Sequence, residues 1–584
     1  MDHHSQALSI STLDLIFVTT LTLSILVSWS YRNRGSSQNL PLPPGPKKLP
    51  LLGNSLDMPS TFHWITFSKW AEQFNSDILH LKVAGVDYII LNSYKATTDL
   101  LDKRSSIYSS RPHVTMLQDL IGWNRDLLLL PYGEDFKAHR RLFQQEFHPN
   151  NSLLHRPHEK KALVVFLNRL LETPDEWLAH IQHMTGTVIL AVAYGIHAQP
   201  KNDPNIAAAE KMIKVLNIAG IPGAFLVVIT LYFIFNTSHD NRYISQKNPC
   251  LGDSSLFIFL YQDVFPILKY IPYWFPGASF KRKAREWNGI LSATITPPFM
   301  KVKQEMANGT AEDCFSLRCL QNTKNPDPRP DRLSKEEEVI KETVGTMYEG
   351  GADTGITALR TFLVAMMCFP HVQLEAQEEL DRVVGKGRLP DYEDLDDKDS
   401  LPYLHAVIFE CLRWQPIVPL AFPHQVDSDD TYKGYFIPKG ATVMPNVWAI
   451  LRDEKTYGPN ADTFEPKRWL SKTSGKQGEG EGWKINPEKR DPTSVAFGFG
   501  RRVCPGKHMA LSSFRINVAS LLHSFNITSP VVDPHGESVS VMPKIEYISG
   551  VLNHPAPFQC TIKPRSEEHV ALVQHALLDL GIEN

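Results

Sequence analysis

The run LSKEEEVIKETVGTMYEGGADTGITALRTFLVAMMCF, residues 333–369, constrains the fold more than any other stretch. Apolar residues recur along it at helical spacing, and it far exceeds the average globular helix of about 11–12 residues. Ser334 with Glu337 three residues on has the form of a capping box, which marks the helix start. Midway lie Gly350 and Gly351. Each glycine costs a helix about 1 kcal/mol relative to alanine. A helix that keeps the pair needs something to approach its backbone closely.

Other segments add helices around it. Residues 140–147 are basic and aromatic, residues 164–171 are apolar at helical period, and residues 281–306 read as a long helix. LPYLHAVIFECLRWQP is a further helix that stops by Pro416. Residues 77–93 alternate and break at Gly85, which predicts a hairpin close to the preceding linker. TYKGYFIPKGATVMPNVWAI reads as short strands with turns, and SKTSGKQGEGEG as a polar surface loop. No internal repeat is present.

A chain of 584 residues with 42% hydrophobic content can build one large catalytic domain or several small ones. A net charge of −3 gives no general argument for nucleic-acid binding. The 7 cysteines are scattered, without CxxC spacing, which fits a reducing compartment better than a disulfide framework.

Residues 1–6 read as a tail, and residues 7–29 as a transmembrane anchor carrying a single charge, Asp14. About 20 mostly apolar residues cross a bilayer as a helix. Arg32 and Arg34 follow, which holds the body of the chain on the cytosolic side. A cleaved signal peptide carries its basic residues before the apolar run and ends in small residues, neither of which is seen. Residues 30–50, with PLPPGPKKLP, form a stiff basic and proline-rich hinge. Residues 51–584 form the catalytic domain.

FGFGRRVCPG sets Cys504 among glycines and arginines. Arg501 and Arg502 favour a thiolate. Glycines at 498, 500 and 506 let the backbone lie against a broad ligand and donate N–H groups to sulfur. With no neighbouring His or Cys, the loop is unsuited to tetrahedral zinc and suits a metal whose other positions are filled. Read alone, the loop favours a reactive or structural cysteine over a metal ligand. FECLR places Glu410 and Arg413 at i,i+3, FEPKRW supplies Arg468, and GGADTG puts Asp353 and Thr354 beside the glycine pair.

Together these motifs resemble the cytochrome P450 family of haem-thiolate monooxygenases. Phe497, Gly500, Arg502, Cys504 and Gly506 match the family's cysteine-loop pattern at every fixed position. GTMYEGGADT, KRDPTSVAFGFGRRVCPGKHMA and FPILKYIPYWFPGASFKR look like the fungal subgroup that includes O-methylsterigmatocystin oxidoreductases. The resemblance implies a mainly α fold with a small β region, preceded by one N-terminal transmembrane helix. It implies haem b held by Cys504 as axial thiolate, which favours O–O cleavage. Arg502, Arg140 and His424 would bind the haem propionates by charge-assisted hydrogen bonds. Glu410, Arg413 and Arg468 would form a buried structural triad. Thr354 and Asp353 would be catalytic, guiding protons to bound dioxygen, and Gly350 and Gly351 would let the helix pass close to haem.

Electrons would come from NADPH through a cytochrome P450 reductase, with cytochrome b5 as a further partner. Lys137, Arg140, Arg141, Lys489, Arg490 and Lys507 are candidates for the positive docking face. The expected location is the endoplasmic reticulum membrane, single-pass, with the domain cytosolic. The expected substrate is a medium-sized apolar molecule, oxidised in secondary metabolism or xenobiotic clearance. Candidate lining segments are RPHVTMLQDLIGW, GGADTG, IVPLAF and ISGVL. Alternatives are a haem-thiolate isomerase or dehydratase, which need not protonate dioxygen, and a membrane protein disabled by an insertion.

Three departures from the family stand out. Phe136 replaces the usual tryptophan four residues before Arg140, so one hydrogen-bond donor is lost. Gly355 follows Thr354 where Thr or Ser is usual. Residues 228–262 separate two segments that are contiguous in relatives. The insertion is a whole number of codons, opens with valine (GT-) and closes with glutamine (CAG), and reads as a translated intron. The competing reading is a hydrophobic flap at the membrane.

Overall fold

The computed structural model describes residues 40–219, 269–274, 278–473, 482–530 and 545–581, apart from residues 51, 84 and 271. The anchor (7–29), most of the hinge (30–50) and the insertion (228–262) lie outside the described residues. Among the described residues no single helix is long and apolar enough to cross a membrane.

In chain order the main elements begin with α1 (His63–Gln73) and the hairpin β1 (Ile78–Val83) and β2 (Val86–Leu91). Helices α2 (Glu134–Glu146), α3 (Arg156–Glu172), α4 (Trp177–Tyr194), α5 (Pro204–Ala219), α6 (Ser279–Asn308) and α7 (Phe315–Gln321) follow. Next come α8 (Lys335–Cys368), α9 (Pro370–Val383) and α10 (Pro402–Trp414), then β3 (His424–Gln425) and β4 (Thr442–Pro445). The chain closes with α11 (Lys507–Ser524), β5 (Phe525–Thr528), β6 (Tyr547–Ile548), β7 (His554–Pro555), β8 (Thr561–Pro564) and α12 (Glu567–Asp579). The described chain is mainly helical with small sheets. The two ends of the polar run after Leu470 lie in paired strands, Leu470–Thr473 against Gly482–Ile485, and residues 474–481 lie outside the described residues.

Helix α8 is the axis of the molecule. Its start is the predicted box: Ser334 Oγ accepts from the Glu337 amide at 3.3 Å, and Glu337 Oε2 accepts from the Ser334 amide at 2.7 Å. Three glutamates in its first turn meet the positive end of the helix dipole. Helix α4 packs on it so closely that a Cβ on Gly351 would lie 2.4 Å from Ile189 Cδ1. Gly345 makes the same accommodation to Ile295 of α6. Close helix packing, and not approach to a ligand, explains Gly351. Gly350 alone keeps the other reading: it is exposed in the middle of a buried helix, and a Cβ on it would meet nothing within 4 Å.

The sheet has the order β1-β2-β4-β3. β1 and β2 pair antiparallel as the expected hairpin around Gly85, β2 runs parallel to β4, and β3 closes the sheet antiparallel to β4. The end of the hinge docks on this sheet. The His80 amide donates to the Pro44 carbonyl at 2.9 Å, and a Cβ on Gly45 would meet the His80 carbonyl oxygen at 2.2 Å. The domain's packing therefore takes in part of the proline-rich segment before residue 51.

Candidate functional site

Cys504 stands in the connection between the short helix Thr493–Ala496 and α11. Gly498 and Gly500 take φ of 79° and 57°, in the left-handed region that glycine enters freely. A Cβ on Gly500 would lie 2.0 Å from the Leu101 carbonyl oxygen, so this residue seats the loop on its neighbour. Gly506 differs: its φ is −82°, and a Cβ there would meet nothing within 4 Å. Two glycines shape the turn and the third borders open space.

The Cys504 amide donates to the Phe497 carbonyl at 2.8 Å, closing the loop. Cys504 is exposed as a residue, yet surrounding protein desolvates its thiol, and burial pushes it up. The Gly506 amide, Arg140 and Lys507 oppose the rise. The flanking arginines do not, contrary to the expectation from sequence. Arg501 donates to the Tyr132 hydroxyl, and Arg502 donates to the carbonyls of Ser109 (2.7 Å), Leu127 (3.1 Å) and Leu130 (2.5 Å). Side chains of consecutive residues on a tight turn diverge, so adjacency in sequence did not deliver proximity to sulfur.

Arg502 is instead part of a cationic cluster in which Arg111 is buried and Arg140 and Arg502 are half-buried. Arg140 on α2 donates to the Val503 carbonyl at 2.7 Å. Arg111, expected from the sequence only as the start of a substrate-lining segment, donates to the carbonyls of Leu128 (2.9 Å), Phe422 (2.9 Å) and Pro423 (2.6 Å). Burial, then repulsion from Arg111 and Arg140, pushes Arg502 down to about 8, and burial pushes Arg111 down to about 9. Among the described residues none of the three hydrogen-bonds a carboxylate. Buried charge without a counter-charge is costly, so such a cluster fits an anionic group. The two propionates of a porphyrin would meet that requirement, and the Cys504 sulfur would be the ligand to its iron. The residues present fit haem.

His424, on β3, joins the cluster as a neutral group. Its Nδ1 lies 2.7 Å from the Tyr108 carbonyl, and burial together with Arg111 pushes the imidazole well below its ordinary range. Charge assistance toward a propionate therefore comes from the arginines. Phe136 lacks a donor, but its ring lies 3.8 Å beneath the Arg502 guanidinium. Phe497 lends its carbonyl to Cys504 and its ring to Lys507, whose Nζ is 5.7 Å from the ring centre.

On α8, Thr354 Oγ1 donates to the Gly350 carbonyl at 2.9 Å. Asp353 Oδ2 lies 3.3 Å from His554 Nε2 on β7, a partner absent from the sequence reading. Leu127 ties α8 to the cysteine loop, since its amide reaches Thr346 Oγ1 at 3.3 Å and its carbonyl accepts from Arg502.

The triad residues are brought together, with Glu410 and Arg413 fully buried and the Arg468 side chain 6% exposed. Arg413 donates twice to Glu410, at 2.8 Å each, and Arg468 Nε donates to it at 2.9 Å. Trp469 Nε1 (3.0 Å) and the Glu465 amide (2.8 Å) complete the carboxylate's partners, while Arg413 also holds the carbonyls of Leu451, Ala461 and Thr463. This arrangement locks loops to α10 and leaves no acid–base group free. A second group, Asp381, His523 and His569, has metal-ligating types in reach of one another. Arg565 donates to both Asp381 oxygens (2.8 and 2.6 Å), so that cluster is a structural ion pair and not a cation site.

The family model of cytochrome P450 matches residues 43–249 and 253–561. The chain is 39% identical to cytochrome P450 monooxygenase 208 of Postia placenta, over 93% of this chain and 94% of that protein. It is 39% identical to cytochrome P450 monooxygenase ple1 of Rhodocybe pseudopiperita, over 90% of each. It is 38% identical to tryptamine 4-monooxygenase of Psilocybe cyanescens, over 92% of this chain and 96% of that protein. With the cysteine loop, the arginine cluster and the α8 acid–alcohol pair in one fold, the chain belongs to the cytochrome P450 family and is a monooxygenase of that family.

Proposed function

We propose that the protein inserts one oxygen atom into a medium-sized, largely apolar organic substrate, using dioxygen and electrons from NADPH relayed by a reductase. The observation that carries this reading is a desolvated cysteine sulfur close to the cluster of Arg111, Arg140 and Arg502, which hydrogen-bond no carboxylate among the described residues. When bound, haem supplies dioxygen activation and oxygen insertion. The chain's own residues do the rest. Cys504 ligates, with the Gly506 amide on its sulfur, and Arg111, Arg140 and Arg502 hold the propionates. The hydroxyl of Thr354 orients a proton at the open face of α8, and Asp353 resupplies it. Such a contribution acts on the transition state more than on substrate binding.

Residues 7–29 would anchor the enzyme in the endoplasmic reticulum membrane, with the domain in the cytosol. The exposed Lys137 and Arg141 of α2 support a cationic docking face for the reductase and for cytochrome b5. Resemblance to the O-methylsterigmatocystin oxidoreductase-like enzymes and to a protein named tryptamine 4-monooxygenase supports a compact secondary metabolite as substrate. We also propose that residues 228–262 are intron codons, which sequencing of mature transcripts decides.

The test pairs two variants. Cys504→Ala should lose the red-shifted Soret band of the reduced carbon monoxide complex; a surviving band refutes the ligand assignment. Thr354→Ala should keep that band and substrate binding while diverting NADPH electrons to peroxide. Undiminished coupling refutes the proton role, and NADPH-independent turnover of the wild type would favour an isomerase.

A further inference from the structure

The Asp353 carboxylate has one buried oxygen, Oδ2, without a properly formed hydrogen bond. Its neighbour is His554 Nε2 at 3.3 Å. The other imidazole nitrogen is committed: Nδ1 lies 2.8 Å from Thr357 Oγ1. That hydroxyl has a single proton, which it donates to the Asp353 carbonyl at 3.1 Å. Both contacts are hydrogen bonds at once only in the tautomer whose Nδ1–H donates to Thr357. The lone pair of Nε2 would then face a carboxylate oxygen unless a proton lies between them. The pair consequently holds one proton, on a line from β7 to the helix face next to Thr354.

We propose that His554 is a positioning residue for Asp353: it shares that proton and passes it from solvent to the carboxylate that serves Thr354. The inference rests on the monooxygenase reading, within which Asp353 resupplies Thr354. In the transfer the Nε2–H bond breaks and an Oδ2–H bond forms, with the electron pair left on Nε2. Histidine becomes the neutral Nδ1–H tautomer already held by Thr357, so no rearrangement is needed. After Asp353 releases the proton, water reprotonates Nε2; the imidazole remains 15% exposed and the carboxylate 18%. The other ionisable groups at this junction are Arg360 of α8 and Tyr547 of β6. Arg360 is engaged by the Pro555 carbonyl, next to His554, and so braces β7 against α8. Because β7 follows the ISGVL turn expected to line the substrate space, a substrate that shifts the turn also shifts the proton donor.

The decisive measurement is a histidine-selective ¹⁵N NMR spectrum of the holoenzyme in its diamagnetic ferrous carbon monoxide form. The His554 signal is assigned by its loss in His554→Asn. Nδ1 should carry a proton in the wild type, and Asp353→Asn should shift the Nε2 signal while Nδ1 keeps its proton. An unshifted Nε2 signal overturns the proposal, since no proton is then shared between the two side chains. With reductase and a turned-over substrate, His554→Asn should cut product per NADPH at least threefold, raise peroxide and enlarge the solvent isotope effect on kcat. KM should stay unchanged, and wild-type coupling in this variant also overturns the proposal. If His554→Asn fails to bind haem, His554→Gln takes its place and the signal is assigned by elimination. Absence of product from the wild type would refute the monooxygenase reading, while the NMR spectra still judge the pair.

Discussion

The Arg502 guanidinium lies 3.8 Å from the centre of the Phe136 ring, so the residue that departs from the family pattern positions an arginine proposed to bind a haem propionate. A cation over an aromatic face gains about 0.5–2 kcal/mol, more when desolvated. Phe136→Leu keeps apolar volume and removes the π face. We expect thermal stability of the fold to change little and haem to transfer faster to apomyoglobin, read by Soret absorbance. Haem loss at the wild-type rate would show that the stacking has no role in retention.

Arg111 is the buried cation that the sequence placed only in a substrate-lining segment. Arg111→Gln keeps hydrogen-bonding capacity toward the Phe422 and Pro423 carbonyls and removes the charge. Haem occupancy after purification should fall severalfold, by pyridine haemochrome assay, while circular dichroism stays helical. Full occupancy would remove Arg111 from the propionate site.

Gly500 and Gly351 make a contrasting pair. At Gly500 an added Cβ would strike a backbone carbonyl at 2.0 Å in a left-handed conformation, and nothing there can yield. Gly500→Ala should abolish holoenzyme formation. At Gly351 the obstacle is the flexible end of Ile189. Gly351→Ala should cost about 1–3 kcal/mol, and Ile189→Val in the same chain should recover part of it. Thermal melts of the single and double variants measure the compensation.

Arg413→Ala would strand the fully buried Glu410 with Arg468 as its remaining cation. Breaking a buried pair costs about 3–5 kcal/mol. We expect little soluble holoenzyme, and Arg413→Lys, which loses the bidentate geometry, should rescue only part of it. Wild-type expression and melting of Arg413→Ala would refute a structural role for the triad.

Glu159 should give stability a pH dependence of unusual sign. Burial pushes its carboxyl up to about 7, against hydrogen bonds to Oε2 from Tyr392 (2.8 Å) and Ser512 (3.1 Å). The native state then holds a proton that the unfolded chain releases near its ordinary carboxyl range. This contribution is unfavourable to folding at high pH: stability declines as pH rises from about 4.5 toward 7 and levels off above it, by up to about 3 kcal/mol. Glu159→Gln should flatten that slope, raising stability by about 1–3 kcal/mol at pH 8 and little at pH 5. Melts across this range decide, and equal gains at both ends would contradict the linkage.

Much of the fold and part of the site are local in origin, and those parts were legible in the residues themselves. The capping box at Ser334 and Glu337, the hairpin around Gly85 and the Glu410–Arg413 pair each rest on partners within a few residues. The closed cysteine loop is similarly short-range, since Cys504 bonds back to Phe497. The role of Gly351 was not legible, because a glycine can admit a ligand or another helix, and only packing showed Ile189 against it. Arg501 and Arg502 misled for the opposite reason: they neighbour Cys504 in sequence, yet the turn sends them to Tyr132 and to distant carbonyls. The roles of Arg111 and His554 were invisible because their partners lie hundreds of residues away, at Phe422 and Asp353. Periodicity, caps and turns depend on contacts that the chain makes with itself over a few residues, so the sequence alone determined the helices, the hairpin and the cysteine loop. Which charges share a buried site depends on how helices and sheet close around one another, and only the tertiary structure decided that.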